Sequence, residues 1–177
     1  MVYQDARGVH HLTGRLADTA VPTPIFAGQS RYVALHQNGV QITDTKTWAT
    51  VSIPGAQQLH DLNKGGIVVT TATEMLVLDH LGKTRMRLPK DAADDTYHLR
   101  PDGRRLVVIR GRETRVETFD LKNGKRVSSV TPTFPGDDFL EVGLGWSKQG
   151  AFLVRGYESE RVYSLDLATG KLRRRDR

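Results

Sequence analysis

Hydrophobic and polar residues alternate over short runs along much of this chain. Residues 83–88 read Lys-Thr-Arg-Met-Arg-Leu, and similar runs of four to six residues recur along the chain. A period of two is the signature of a β-strand with one face in solvent. The chain also carries 17 glycines and 7 prolines among its 177 residues, so strong turn-formers interrupt it about every seventh position. The pattern therefore predicts many short strands and no long helices.

The alternating runs belong to a repeat. Four segments share an apolar residue, a further residue, an aspartate, a short turn with Gly or Trp, and then an alternating run. Their aspartates are Asp44, Asp79, Asp120 and Asp166, and a fainter copy places Asp5 near the start. Consecutive aspartates are separated by roughly 35 to 46 positions, a period typical of repeat architectures.

Each aspartate is expected to form a turn rather than to act as a catalyst. An Asp that closes a strand accepts hydrogen bonds from backbone N–H groups about two residues on. A glycine three or four residues later can adopt positive φ without a Cβ clash. We expect this conformation at Gly124 and Gly170.

Each repeat is predicted to contain four strands joined by short turns. In the third unit the strands are predicted at residues 97–99, 105–109, 115–120 and 125–130. The same division gives units at residues 24–55, 58–89, 96–131 and 141–174, and residues 1–13 supply only the last two strands of a unit. Four-stranded repeats of this length are typical of a β-propeller, in which each unit is one blade.

Two stretches carry a family resemblance. Trp146-Ser147-Lys148-Gln149-Gly150, followed by residues 162–171, resembles the blade motif of TolB-type propellers, which are relatives of the WD repeats. Residues 100–103 supply the Pro-Asp-Gly turn of that motif. The chain has no Trp-Asp dipeptide, and Phe119-Asp120 and Leu165-Asp166 stand in its place. The resemblance implies an all-β propeller fold and a scaffold role, although many functions share this fold.

Four blades and a half blade do not form a standard ring. We therefore expect an incomplete ring: a part of a larger propeller of six to eight blades, or an arc completed by a second chain. A four-blade ring with residues 1–13 as an appendage is the alternative. An open arc would leave an apolar sheet face at each end, which predicts self-association of the isolated chain through the open propeller ends.

The strand map predicts a basic face and an acidic face. The turns within strand pairs one–two and three–four carry the lysines and arginines, and the connections between units carry acidic residues. The basic positions are Lys46, Lys64, Lys83, Arg100, Arg104, Lys122, Lys125, Lys148 and Lys171, of which Lys83, Arg100, Arg104, Lys125, Lys148 and Lys171 form the candidate docking face for an anionic partner. The candidate ligand or partner loops contain Asp94, Asp95, Asp137 and Asp138, with Asp91 and Glu141 nearby.

Other chemistry has weak support. The chain has no Cys, no nucleophile-elbow, P-loop or His-Glu-x-x-His motif, and we predict neither catalytic residues nor a cofactor. The acidic loops offer oxygen ligands for Ca²⁺, and His10, His11, His36, His60, His80 and His98 could supply nitrogen ligands only if the fold brought them together. The Gly143-Leu144-Gly145 segment is interpreted as a turn. Trp48, Tyr97, Phe119, Trp146 and Tyr163 are interpreted as packing between blades.

These observations favour a non-catalytic, WD-repeat-like scaffold that mediates protein–protein interaction. The alternatives are a ligand-binding or enzymatic propeller of the lactonase or lyase kind that uses an acidic channel mouth formed by these loops, and the propeller part of a larger peptidase. The formal charge of +6 raises nucleic acid as a partner, but no nucleic-acid-binding motif is present, so a protein partner is preferred. The longest apolar runs are far shorter than the ~18 residues of a membrane span, and no signal peptide is apparent, so the cytoplasm is the default compartment.

Overall fold

The computed structural model describes residues 2–5, 8–11, 24–27, 31–36, 39–44, 46–79, 81–90, 92, 94–111 and 114–175. Its regular elements over these ranges are β-strands, which form four four-stranded sheets and a hairpin. The all-β blade architecture predicted from the repeat is therefore confirmed.

The hairpin and each sheet follow chain order. The hairpin pairs β1 (Val2–Asp5) with β2 (Gly8–His11). Blade 1 contains β3 (Pro24–Ala27), β4 (Arg31–His36), β5 (Gly39–Asp44) and β6 (Thr50–Pro54). Blade 2 contains β7 (Gln58–Asn63), β8 (Gly66–Thr70), β9 (Glu74–Leu78) and β10 (Thr84–Pro89). Blade 3 contains β11 (Thr96–Leu99), β12 (Arg105–Arg110), β13 (Arg115–Asp120) and β14 (Arg126–Val130). Blade 4 contains β15 (Leu140–Trp146), β16 (Phe152–Gly156), β17 (Val162–Leu165) and β18 (Leu172–Arg174).

Consecutive strands of each blade pair antiparallel, so the turns segregate to two ends. The turns between strands one and two and between strands three and four lie at one end, which we call the turn face. The loops between strands two and three, and the connections to the next blade, lie at the other end, which we call the loop face. The prediction of a basic face and an acidic face depends on this arrangement of turns and loops.

The first strands of neighbouring blades contact each other in the order β3, β7, β11, β15. These strands therefore form the inner edge of the arc. The fourth strands form the outer edge, and β6 and β14 are mostly exposed there. Alternation along the outer strands is the period-two pattern that was visible in the sequence.

The hydrophobic cores lie between blades. In blades 2 and 3 the second and third strands are buried on both faces, so the side chains of one strand alternate between two cores. In β12, Leu106 and Val108 pack toward blade 2, whereas Val107 and Ile109 pack toward blade 4. In β8, Val68 packs toward blade 3, and Ile67 and Val69 pack toward blade 1.

One strand begins later than its sequence pattern predicts. The pattern predicts the fourth strand of blade 1 over residues 47–53, but β6 begins at Thr50. The Asp44 carboxylate accepts hydrogen bonds from the backbone N–H groups of Lys46 and Thr47, and Trp48 has a φ of 60°. These contacts keep the chain in the turn until residue 49.

A second local prediction was wrong. Gly143 and Gly145 lie inside β15 rather than in a turn, and the pairing of β15 with β16 shifts register between them. A β-bulge at a glycine explains why the segment resembled a turn in the sequence.

No helix that could cross a membrane occurs over the described ranges.

Candidate docking groove on the turn face

The repeat aspartates build the turns of the turn face. In the four turns between third and fourth strands, Asp44, Asp79, Asp120 and Asp166 each accept a hydrogen bond from the backbone N–H two residues later. Gly124 and Gly170 adopt φ values of 69° and 76°. The prediction that these residues are turn-formers is confirmed.

These turns hold the predicted basic residues at one end of the blades. Lys83, Lys125 and Lys171 lie in turns between third and fourth strands, and Arg100, Arg104 and Lys148 lie in turns between first and second strands. Lys64 occupies the corresponding turn of blade 2. The seven described turns, counted with the last residue of the strand before each, contain nine cationic side chains. They contain five aspartates: Asp44, Asp79, Asp102, Asp120 and Asp166.

A groove of about 550 Å³ opens on this face between blades 2 and 3. The turns at Lys64 and Lys83 contribute one wall, and the turn at Asp102 and Gly103 contributes the other. Arg85 and Leu121 complete the lining. Residues from four turns and from strand β10 thus meet in a concavity that only blade packing creates.

Arg85 joins the two blades at this groove. Its Nη1 donates a hydrogen bond to the Gly65 carbonyl oxygen at 3.0 Å, and its Nη2 donates to the Gly103 carbonyl oxygen at 2.7 Å. The backbones of Gly65 and Gly103 approach so closely that a Cβ on Gly65 would lie 2.6 Å from the Gly103 nitrogen. The guanidinium is therefore held in one position by backbone carbonyls, and its positive charge is not neutralised by them.

The carboxylates of the groove serve its own turns. The Asp79 Oδ1 accepts hydrogen bonds from the backbone N–H groups of Leu81 and Lys83 at 2.8 and 2.9 Å. Asp102 accepts from the Arg104 N–H at 2.9 Å and pairs with Arg100 at 3.2 Å. Lys64 and Lys83 are exposed at the same place. Lys64, Lys83 and Arg85 outnumber Asp79 and Asp102 in the groove lining, and one oxygen of each aspartate accepts hydrogen bonds from backbone N–H groups, an arrangement that favours anions.

The remaining predicted cations have different surroundings. Arg100 is half-buried, and its guanidinium lies 5.3 Å from the ring centroid of Trp146, so it also ties blade 3 to blade 4. Arg104, Lys125, Lys148 and Lys171 are exposed in their turns but do not line the groove. The sequence missed Arg85, because an arginine in an alternating outer strand looks like any solvent-facing residue.

The four predicted loop aspartates belong to two different connections and have different surroundings. Asp95 is 3% exposed and accepts a hydrogen bond from Arg110 Nη1 at 2.6 Å. Asp138 belongs to blade 4, where it accepts hydrogen bonds from Ser159 and from the backbone of Glu158. Asp94 and Asp137 are exposed in the two connections, and Asp91 lies outside the described residues. Over the described ranges, no three His, Asp or Glu side chains form a group that could hold a metal ion.

Asp95 instead opens a buried ion network in blade 3. Arg110 Nε also donates to Glu117 Oε2 at 2.8 Å, and Glu117 Oε1 accepts from Arg126 Nη1 at 2.6 Å. Burial would raise the pKa of Glu117, but the hydrogen bonds from Arg110 and Arg126 hold it below its usual range. The network links the connection, the second, the third and the fourth strand. No sequence motif indicates this network, because its four residues are spread over 32 positions of the chain.

Two histidines lie on the inner edge of the arc. His60 of β7 bonds to the Thr70 hydroxyl at 3.0 Å and packs edge-on against Tyr97. His98 of β11 packs against Phe152, and burial lowers its pKa to about 4, with a smaller contribution from His60. His80 and the side chains of His10, His11 and His36 lie outside the described residues. The described pair is too small a set for the metal site that the sequence left open.

Four of the five aromatic residues assigned to packing fit that assignment. Tyr97, Phe119 and Tyr163 are buried in the cores, and Trp146 packs against Phe152. Trp48 is different, because its side chain is 58% exposed on the turn face. The interpretation of Trp48 as a packing residue was wrong, since it occupies the turn itself rather than a strand.

Comparisons with known proteins identify the fold. No family model and no curated protein matches the chain. Among solved structures, Hsv2 of Kluyveromyces lactis with loop 6CD replaced by a Gly-Ser linker matches with a TM-score of 0.64 and 13% identity, over 85% of this chain and 52% of that one. The WD40 domain of Neurospora crassa Pan2 gives 0.52 and 14% identity, over 82% and 46%. The Dos1 propeller gives 0.51 and 16% identity, over 77% and 38%.

These similarities are to propellers, and at such identities they establish the fold alone. The chain spans about half the length of the Hsv2 structure, and less of the other two. The four blades are consistent with an incomplete propeller. The neighbours include a WD40 domain, whereas the TolB-type resemblance remains a prediction. The sequence and the structure together therefore place this chain among the β-propellers.

Proposed function

We propose that this chain is a non-catalytic propeller scaffold that binds an acidic segment of a partner protein. The observation that carries the proposal is the groove between blades 2 and 3, where Lys64, Lys83 and the fixed guanidinium of Arg85 meet. A cationic concavity attracts an acidic segment over a distance and then orients it. The propeller fold of the neighbours supports a scaffold role.

The groove also suits an extended peptide rather than a small anion. It is open and lies between two rows of turns, and further cations continue along the same face at Arg104 and Lys122. The enzymatic alternative relied on available carboxylates on the loop face. Since Asp95 and Asp138 are engaged by partners within their own blades, the basic groove gives the better-supported function.

A charge-reversal experiment tests this assignment. The probe is a fluorescein-labelled decapeptide of alternating Glu and Ala, and binding is measured by fluorescence anisotropy. We expect the double variant Lys64→Glu/Lys83→Glu to weaken binding by about tenfold or more, because each reversed charge repels the peptide. Affinity in the native chain should fall as salt is raised.

The control is Lys148→Glu/Lys171→Glu, which makes the same change in net charge in the turns of blade 4, outside the groove. It should weaken binding by less than about threefold, through the general field of the protein alone. Equal losses in the two double variants would mean that the peptide follows net charge, and the groove would lose its role.

A further inference from the structure

A stacked aromatic pair stands exposed on the loop face of blade 4. The ring centroids of Phe139 and Tyr157 are 4.8 Å apart, and their planes are 18° from parallel. Phe139 is 46% exposed and Tyr157 is 54% exposed. Side chains of this size are usually more buried, and exposed aromatic residues are enriched where proteins bind each other.

Hydrogen bonds fix the backbone beneath the two rings. The Tyr157 N–H donates to the Phe139 carbonyl oxygen at 2.9 Å. The Asp138 carboxylate accepts from the N–H groups of Phe139 and Glu158 at 3.0 and 2.9 Å, and from the Ser159 hydroxyl. The connection before blade 4 and its β16–β17 loop are thus tied together. A pair held in this way loses little conformational entropy when a partner binds.

The surroundings of the pair are acidic. Hydrogen bonds from the Ser159 hydroxyl and from nearby backbone N–H groups keep the pKa of Asp138 below its ordinary value. Arg155, the nearest cation along β16, forms a bidentate ion pair with Glu141, with hydrogen bonds of 2.6 and 2.8 Å. Residues 137–141 and 155–161 contain two basic residues, Arg155 and Arg161, and five acidic residues: Asp137, Asp138, Glu141, Glu158 and Glu160. This surface is negative on a chain whose formal net charge is +6.

We propose that the Phe139–Tyr157 pair and the exposed carboxylates of Asp137, Glu158 and Glu160 bind an arginine-containing basic segment of a partner protein. A guanidinium stacks on an aromatic face and pairs with carboxylates, so one arginine satisfies both features of the surface. The site lies at the end of the blades opposite to the basic groove. It is therefore independent of the proposed function, and it gives the scaffold two ends of opposite charge preference.

The aromatic contribution is tested with a fluorescein-labelled decapeptide of alternating Arg and Gly, followed by anisotropy. Phe139→Ala/Tyr157→Ala should weaken binding by about tenfold or more, as expected when an aromatic anchor is removed. The control Val127→Ala removes another exposed apolar side chain, 51% exposed in the native chain, and should change the affinity by less than about twofold. Thermal melting of both variants verifies that they fold. Native-like binding by the folded double variant would overturn the proposal.

The charge contribution is tested separately. Glu158→Gln should weaken binding of the same peptide by about threefold, whereas Glu74→Gln, on the loop face of blade 2, should leave it unchanged. Lys64→Glu/Lys83→Glu should not weaken it, which separates this site from the groove. If sedimentation shows that the native chain dimerises and that Phe139→Ala/Tyr157→Ala is monomeric, the occupant is a second copy of this chain and the proposal is wrong.

Discussion

Trp48 occupies a backbone conformation that the repeat otherwise gives to glycine. It lies four residues after Asp44, as Gly124 lies four after Asp120, and their φ values are 60° and 69°. In the left-handed region a Cβ approaches the neighbouring carbonyl, which costs about 1–2 kcal/mol for residues other than glycine. Since the ring is 58% exposed, burial does little to offset this cost.

We expect Trp48→Gly to raise the free energy of unfolding by about 1 kcal/mol, because it relieves the left-handed strain. Gly124→Val should lower it by about 1–2 kcal/mol, and this cost is conformational because a Cβ at Gly124 would meet nothing within 4 Å. Lys122→Val, in the same turn, should stay within about 0.5 kcal/mol. Urea denaturation measures all three. A destabilised Trp48→Gly would mean that the ring makes native contacts that matter more than the strain.

At the scale of the blade, a buried ion network holds blade 3 together. Asp95, Arg110, Glu117 and Arg126 connect the incoming loop to three strands, and Glu117 is only 2% exposed. The chain has no Trp-Asp dipeptide, and it uses guanidinium–carboxylate pairs to hold this blade. Removing one partner of such a buried network leaves a desolvated charge behind.

Glu117→Ala should therefore lower the free energy of unfolding by about 3 kcal/mol or more. The matched control is Glu141→Ala, which breaks a more exposed Arg pair in blade 4 and should cost less than about 1 kcal/mol. Chemical denaturation near neutral pH measures both. Similar small losses would show that the buried network contributes little.

The lowered pKa of Glu117 also sets the direction of a pH effect. Its contribution is present above the ordinary glutamate pKa of about 4.3 and is lost as the pH falls through the lower folded-state value. Glu117→Gln should remove this part of the acid dependence.

At the scale of the whole molecule, the buried hydrophobic contacts lie at the interfaces between neighbouring blades. Over the described residues, three cores each draw side chains from two neighbouring blades. Further contacts cross the joints: the Asp61 carboxylate of blade 2 accepts the Leu99 N–H of blade 3 at 2.7 Å, and His98 of blade 3 packs against β15. A Cβ at Gly143 would lie 2.6 Å from His98 Nε2, so the glycine makes room for the ring.

The buried position of His98 predicts a pH-dependent joint between blades 3 and 4. Its folded-state pKa of about 4 lies below the ordinary value of 6.5, so the unfolded chain binds the proton first. Stability is complete above pH 6.5 and falls as the pH drops toward 4, by about 3 kcal/mol over that interval. His98→Gln should reduce this slope by about one proton in denaturation measured between pH 7 and 4. An unchanged slope would place the titration elsewhere.

The predicted apolar end face is only partly apolar. On the side of blade 4 turned away from blade 3, Leu153 and Val162 are half-buried, and they share that side with Arg155 and Ser164. The corresponding side of blade 3 carries Val107, Ile109 and Val116, which are buried. Self-association through open ends remains a prediction, and this mixed surface makes the apolar driving force for it smaller than the repeat alone suggested.

The sequence by itself determined the blades. Turn chemistry is local, because an aspartate such as Asp120 bonds to N–H groups two residues away and Gly124 supplies the positive φ that follows. Strand alternation is equally local, since side chains point to opposite faces with a period of two. The order of strands within each sheet follows because short turns permit only neighbouring pairing. Repeat, turn and strand were therefore readable without coordinates.

Only the tertiary structure decided which of the charged and aromatic residues meet. Arg85 reaches Gly103 over 18 positions, and Asp95 reaches Glu117 through Arg110, across separations that no local pattern encodes. The Phe139–Tyr157 stack likewise joins a connection to a loop of the next strand pair. Such contacts depend on how sheets pack and on the space glycines leave between backbones. Local rules specify the blades, and the packing of blades specifies the sites.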